Sequence, residues 1–331
     1  MPFKKILISA FVVFVFFNSC TNPKPEQSET RNQKPETMKL STPSFNADSA
    51  YRFTKEQVDF GPRVPGTKAH DNCGKYLEDK LKSYGLDVII QKDVITTYDS
   101  KKYTMRNIIA QYKINSSKRI LLCAHWDTRP FADRDSVNPD KPFDGANDGA
   151  GSVAVLLETA RQLSLSKPGI GVDIILFDLE DYGDQSGKTP DSWCLGSQYW
   201  AKHLHKPDYF AQFGILLDMV GGKNPVFPKE GSSMNYAASV VNKVWSIAAQ
   251  AGYGQYFIDA VTAETTDDHV YVNYLANIPC IDIVHYDVQR MEYMPCHHRH
   301  CDNMDNIDPA TLKMVGQVVL EVVFSEVNAP Q

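Results

Sequence analysis

The sequence predicts an α/β fold with a mixed, mostly parallel central sheet sandwiched by helices. Short apolar runs rich in Val, Ile and Leu, bounded by turn residues, read as strands buried on both faces. Helical patterns fall between them, and strands alternating with helices define a layered α/β arrangement. Clusters of acidic residues and histidines stand mostly where an apolar run stops, which is where open α/β sheets bind their ligands. In order these are His125-Trp126-Asp127, Asn147-Asp148-Gly149, Glu180-Asp181, Asp218, Asp267-Asp268-His269 and His298-Arg299-His300-Cys301-Asp302.

At the start of the chain, Lys4 and Lys5 precede the apolar run Ile6 to Phe17, which ends in Asn18-Ser19-Cys20. A basic start, an apolar stretch of about a dozen residues and a small residue before the cut describe a secretory signal peptide over 1–19. The run is shorter than the ~20 residues of a membrane-spanning helix. Its Ser-Cys ending resembles a bacterial lipobox. That implies lipidation of Cys20 and a periplasmic protein held at a bacterial membrane by lipid alone. Residues 20–45 are polar and Pro-containing and read as a flexible tether. The remainder, 46–331, forms a single catalytic domain, expected to be a monomer. With 34 basic against 40 acidic residues, a formal net charge of −6 and no basic run, nucleic acid is excluded as a partner.

Within that domain, the turn-rich segment 60–67 leads into a helix over 69–84, closed by Gly85 at its C-terminus. Strands are expected at 88–94, 107–112, 119–124, 172–177, 213–217 and 278–284. The helix over 152–165 carries Val153, Leu156, Leu157, Ala160 and Leu163 on one stripe; further helices fall at 232–251 and 268–275. Asp308-Pro309, an N-cap followed by proline, opens a last helix that runs to about 324. Cys123 and Cys280 lie in strand-like runs, where a buried thiol is natural. Cys296 and Cys301 flank three histidines, but without a CxxC pair they do not suggest a separate structural zinc. Disulfide pairing stays open.

Singly, each acidic residue has a bland role: Asp218 could cap a turn, and Asp148 could cap the helix starting near Gly149. Together they are the donor set of a zinc site, carboxylates and imidazoles delivered from several strands. With Gly61-Pro62-Arg63-x-Pro65-Gly66, the set resembles the zinc aminopeptidase and glutaminyl cyclase superfamily over residues 60–324. The resemblance implies that superfamily's three-layer fold, Asp148 as central zinc ligand, Asp181 and His298 as further ligands, and Glu180 as general acid/base. His298 is chosen among the neighbouring histidines by its four-residue step to Asp302 and by the following Asn306-Ile307-Asp308.

Two branches of the superfamily differ in metal count. Two-zinc aminopeptidases use His125 and Asp218 on a second ion bridged by Asp148, whereas animal-type cyclases work with one zinc. Both residues are present here, so the ligand inventory leaves His125 as either a second-metal ligand or a structural residue. Asp267-Asp268-His269 resembles the cyclase pattern, where aminopeptidases typically show Ser-Asp-His. Asn224-Pro225, downstream of Asp218, also resembles the cyclases. The loop from Tyr293 to His298 matches the cyclase pocket loop in length: Tyr293 supplies its aromatic, while His297 stands where animal cyclases have tryptophan. Trp193 could supply the missing indole. The resemblance therefore implies one zinc per chain and cyclisation of N-terminal glutamine, in peptides and proteins, to pyroglutamate with release of ammonia. Asp218 and Asp267 would share protons with Glu180. The alternatives are a two-zinc aminopeptidase and a catalytically silent binding domain on the same scaffold.

Overall fold

The computed structural model describes residues 12–15 and 41–328. The chain divides into two units, Met1–Met38 and Lys39–Gln331. The described residues of the first carry no helix or strand. The rest of the expected signal peptide, Cys20 and the tether up to residue 40 lie outside the described residues. No described helix is long and apolar enough to cross a membrane.

The second unit opens with helices α1 (Ala47–Val58) and α2 (Lys68–Ser83), followed by strands β1 (Asp87–Thr96), β2 (Lys102–Tyr112) and β3 (Arg119–His125). An irregular turn, Ala146–Gly151, leads into α3 (Ser152–Ser166), β4 (Gly171–Phe177), α4 (Leu195–Lys202) and β5 (Gly214–Asp218). Then come β6 (Phe227–Lys229), α5 (Gly231–Gln250), β7 (Phe257–Val261), α6 (Asp268–Ala276) and β8 (Cys280–Val284). A short hairpin of β9 (Tyr286–Asp287) and β10 (Glu292–Tyr293) precedes α7 (Pro309–Asn328).

Six strands form the central sheet in the order β1-β2-β4-β3-β5-β8. The β4-β3, β3-β5 and β5-β8 pairings are parallel, and β1-β2 and β2-β4 are antiparallel. Every residue of β3 and β4 is buried, as expected of strands covered on both faces. Alternation along β3 divides its side chains between two cores. Ile120, Leu122 and Ala124 pack with α1, α2, α3, α5 and α7, and Leu121 and Cys123 with α4 and α6. From β3 the chain crosses to β4 on one side, then returns past β3 to pair β5 on the other. This is the topological switch point at which open sheets bind ligands. His125 ends β3 and Asp218 ends β5, so both arrive there.

Local chemistry sets the helix ends. Asn46 accepts a hydrogen bond from the Ser49 amide and Thr67 from the His70 amide. Glu230 accepts from Ser232 and Ser233 at the start of α5, satisfying amides that otherwise lack partners. Residues 41–45, assigned to the tether from sequence, are part of the packed body. Thr42 donates to Glu321, the Phe45 amide donates to Gln317, and the Phe45 ring is 2% exposed. Helix α1 was not expected because its buried face is largely polar: Ser49, Thr54 and Gln57 lie beside Ala50 and Phe53. Gln57 bonds to the Phe53 and Ala150 carbonyls, so the apolar stripe that betrays other helices is missing. Helix α4 was not anticipated either; it is only eight residues long.

Candidate active site

Several loops at the carboxyl edge of the sheet meet around Asp148. The Asp302 carboxylate accepts hydrogen bonds from the Asn147 and Asp148 amides at 2.9 and 3.1 Å. The Asn147 side chain binds the Met219 carbonyl and accepts from the Gly221 amide. Across the site, the Asp127 carboxylate accepts from the amides of both Glu180 and Asp181, at 3.1 and 3.2 Å. One buried aspartate thus positions each pair of functional residues through main-chain bonds. Asp148 lies inside the irregular turn, with a cis peptide to Gly149, rather than capping a regular helix. A side chain at Gly149 would run into His125, so glycine is needed there.

Four non-glycine residues in the left-handed region flank the site: Leu179 before Glu180, Met219 after Asp218, Cys194 beside Glu180, and His298 itself. Such conformations cost of order 1–3 kcal/mol each and persist where the surroundings over-determine them. A disulfide, Cys296–Cys301, closes the loop that carries His297 and His298. It accounts for the cysteine spacing that might have suggested a structural zinc.

At one end of the site, His298 Nε2 stands 3.0 Å from Asp181 Oδ1 and 3.8 Å from Asp148 Oδ2. Both carboxylate oxygens are buried without a hydrogen-bond partner, a costly arrangement unless a cation completes it. His298 Nδ1 faces Asp133 at 3.5 Å, and Asp133 is held by Arg129. The Arg129 amide binds the other oxygen of Asp181 at 3.0 Å. An imidazole backed by a carboxylate is the usual outer shell of a metal-bound histidine. These residues fit a zinc ion. His297 also brings a ring nitrogen within 4.8 Å of the donors of Asp148 and His298. It has no carboxylate behind it, however, and packs edge-on against Tyr293, so Asp181 is the better third donor.

Beside this end, His125 Nε2 sits 3.1 Å from Asp148 Oδ1 and 3.2 Å from Asp218 Oδ1. The three form a second trio with donor atoms close together. Burial opposes charge on His125, but Asp127, Asp148 and Asp218 outweigh it and hold the ring well above the ordinary histidine range. Burial alone would raise Asp148, yet His125 and then His298 hold its carboxyl well below the usual range.

The other end is acidic. Glu180, Cys194 and Asp267 bring donor atoms within 4.8 Å of one another, and the Cys194 thiol donates to Glu180 Oε1 at 3.3 Å. Burial first, then the charges of Asp267, Asp181 and Asp268, push Glu180 well above the ordinary glutamate range. Burial and Asp218 push Asp267 up to about 7. Asp218 rises to about 6, through burial and despite relief from His125. Asp267 also caps α6 through the Asp268 amide, so the structural role weighed from sequence is real and coexists with a place on the cleft wall.

All three of Glu180, Asp218 and Asp267 line a cleft of about 810 Å³, together with Asp148, Asp181, His298, Trp193, Tyr293 and His297. The Trp193 indole lies nearly parallel to the His298 ring, 6.1 Å centroid to centroid, with Arg129 stacked over it. A Cβ on Gly183 would fall inside that indole, so glycine at 183 lets Trp193 close the wall. Sequence reasoning named Asp148, Asp181, His298, His125 and Asp218 but gave no role to Asp127, Asp133, Arg129 or Cys194. Asp127 was in view within the His-x-Asp cluster but without a signal for its role; the others gave no local signal.

The chain belongs to the peptidase M28 family, whose model matches residues 107–323. It is similar to the structure of a Zn-dependent exopeptidase from Parabacteroides distasonis, 52% identical over 86% of this chain and 99% of that one, with a TM-score of 0.84. It is likewise similar to Bacteroides thetaiotaomicron glutaminyl cyclase bound to N-acetylhistamine, 50% identical with the same coverage and a TM-score of 0.83. Among curated proteins, the glutaminyl-peptide cyclotransferase of Drosophila melanogaster is 27% identical over 50% of this chain and 46% of its own length. That match therefore spans less than half of the fly protein.

Proposed function

We propose that this protein is a zinc-dependent glutaminyl cyclase, converting N-terminal glutamine of peptides and proteins to pyroglutamate and ammonia with one zinc per chain. The observation that carries the reading is the coupling of the Asp148, Asp181 and His298 donors to a separate set of proton-holding carboxylates, with Asp267 where aminopeptidases typically carry serine. The similarity to a bacterial glutaminyl cyclase at 50% identity supports it.

Asp148, Asp181 and His298 would hold the zinc, which would supply Lewis acidity toward the γ-carbonyl oxygen of the glutamine. The chain's residues do the rest. Glu180 takes a proton from the α-amine as its nitrogen attacks the amide carbon and the new N–C bond forms. The same carboxyl then gives a proton to the departing nitrogen, so that ammonia leaves as the old C–N bond breaks. Such double duty requires a carboxyl that holds a proton readily, which burial and the neighbouring Asp267 and Asp218 provide. Trp193, Tyr293 and His297 enclose the glutamine, excluding water and fixing amine against amide.

One observation favours a second reading, a two-zinc aminopeptidase: His125, Asp148 and Asp218 also form a compact donor trio. Titrating zinc into metal-stripped protein while following ammonia release from a Gln-initiated peptide separates the two. Full activity at one equivalent is expected. No ammonia at any equivalent, with free glutamine released only once two equivalents are bound, would favour the peptidase.

The reading extends to export: residues 1–19 as a signal peptide, lipid on Cys20, and a monomeric catalytic body in the periplasm tethered to a membrane. Because Thr42 and Phe45 pack on α7, the soluble body should start by residue 41.

A further inference from the structure

The chemistry above occupies only the inner end of the cleft, and the cleft continues outward along α6. Asp267, Val270, Tyr271 and Tyr274 all line it. Their spacing of three, four and seven from Asp267 places them on one face of that helix. Asp267 and Tyr271 are buried, Val270 is half-buried, and Tyr274 at the outer end is 69% exposed. The stripe covers roughly 10 Å of helix, about the reach of three residues of extended peptide.

The adjoining wall, residues 184–193, is held in place. The Asp184 carboxylate accepts from Ser186 and Thr189. Gln198 donates to the carbonyls of Asp191 and Trp193, and the Tyr271 hydroxyl donates to Asp191. Tyr271 thus ties this wall to α6, and Tyr274, about one turn further along the helix, lines the cleft beyond that tie. A single glutaminyl residue at the metal would leave the outer part empty.

The geometry points to a downstream subsite on α6. It takes the second to fourth residues of the substrate chain and favours an aromatic or large apolar side chain against Tyr274. The inference rests on the cyclase reading and adds a preference within it. The occupant is the substrate peptide because the stripe is continuous with the reaction centre and starts at Asp267.

The test uses the zinc-loaded protein and its Tyr274→Ser variant, whose substitution lies at an exposed position and leaves the core untouched. Substrates are Gln-Gly amide, Gln followed by four glycines, and that peptide with Phe at position two, three or four. The parent should cyclise at least one Phe peptide about fivefold more efficiently in kcat/KM than the all-glycine peptide, the scale of one aromatic contact. Tyr274→Ser should lose that gain and turn over Gln-Gly amide as the parent does. A parent indifferent to Phe, or a variant equally impaired on every substrate, overturns the subsite while leaving the cyclase reading intact. Unchanged peptide kinetics with loss of self-association in sedimentation would assign Tyr274 to a contact between copies instead. No ammonia from any peptide overturns the cyclase reading, and the subsite falls with it.

Discussion

The two ends of the cleft are built from the same side chains and behave in opposite ways. At the metal end each carboxylate faces a cation-bearing partner: Asp148 faces His125 and His298, Asp181 faces His298, and Asp133 faces Arg129 and His298. Asp133 and Asp148 are accordingly held below the ordinary carboxylate range, although burial works the other way, while at Asp181 burial outweighs His298 and the carboxyl stays raised. At the acidic end, Glu180, Asp267 and Asp268 mainly face one another, and all three are pushed up, by burial first and by like charge second. Burial is common to both ends, so the sign depends on whether an opposite charge at hand outweighs it: it does at Asp133 and Asp148, and it does not at Asp181 or Asp218. The contrast divides the work: a group that ligates must be an anion, and a group that shuttles a proton must be able to hold one.

The sharpest way to break this division is at the ligands. His298→Ala should lose zinc and with it all turnover, whereas His297→Ala and His300→Ala should retain the metal. Metal analysis of the three proteins decides, and zinc lost from the His300 variant alone would move the ligand. Next in size is Glu180→Gln, which should keep zinc and lose roughly 10²–10⁴-fold in kcat, the worth of a general acid/base. Activity within a few-fold of the parent would remove Glu180 from the proton path.

Asp267→Ser should also keep zinc and lower pyroglutamate formation by at least about tenfold, the equivalent of roughly 1.4 kcal/mol. A peptidase would tolerate this change, and so would a protein in which Asp267 serves only as a helix cap, because serine caps a helix about as well as aspartate. The smallest expected effect is on stability against pH in zinc-stripped protein. Asp267 is raised to about 7 from an ordinary 3.8, so the folded state holds this proton more tightly than the unfolded chain. Its contribution is complete below about pH 4 and is lost as pH rises through about 7. Asp267→Asn, which still caps α6, should flatten the fall in Tm across that interval; an unchanged slope would show that Asp267 is not the group that holds the proton.

What was legible in the sequence follows the same physics. Strands buried on both faces announce themselves as unbroken apolar runs, and β3, β4 and β5 appear within a residue of the expected positions. The candidate donors Asp148, Asp181 and His298 were readable, and the structure brings them together, because metal chemistry draws on a few residue types at strand ends. Helix α1 was hidden because buried glutamine and threonine satisfy themselves through backbone bonds rather than by apolar character. The second rank of the site was hidden for a different reason. Asp127 serves Glu180 and Asp181 from a separation of more than fifty residues, and Asp302 serves Asp148 from farther still. Their roles lie in accepting main-chain hydrogen bonds, for which a sequence has no distinctive pattern. Cys194 reaches Glu180 only because its backbone is left-handed at the start of α4.

The most direct test is competition in one tube: zinc-loaded protein with an equimolar pair of peptides that differ only in beginning with Gln or Leu, analysed by mass spectrometry and for free ammonia and amino acids. The account predicts pyroglutamyl peptide and ammonia in equal amounts, with the Leu peptide intact. Free leucine accumulating while the Gln peptide keeps its amide would contradict it.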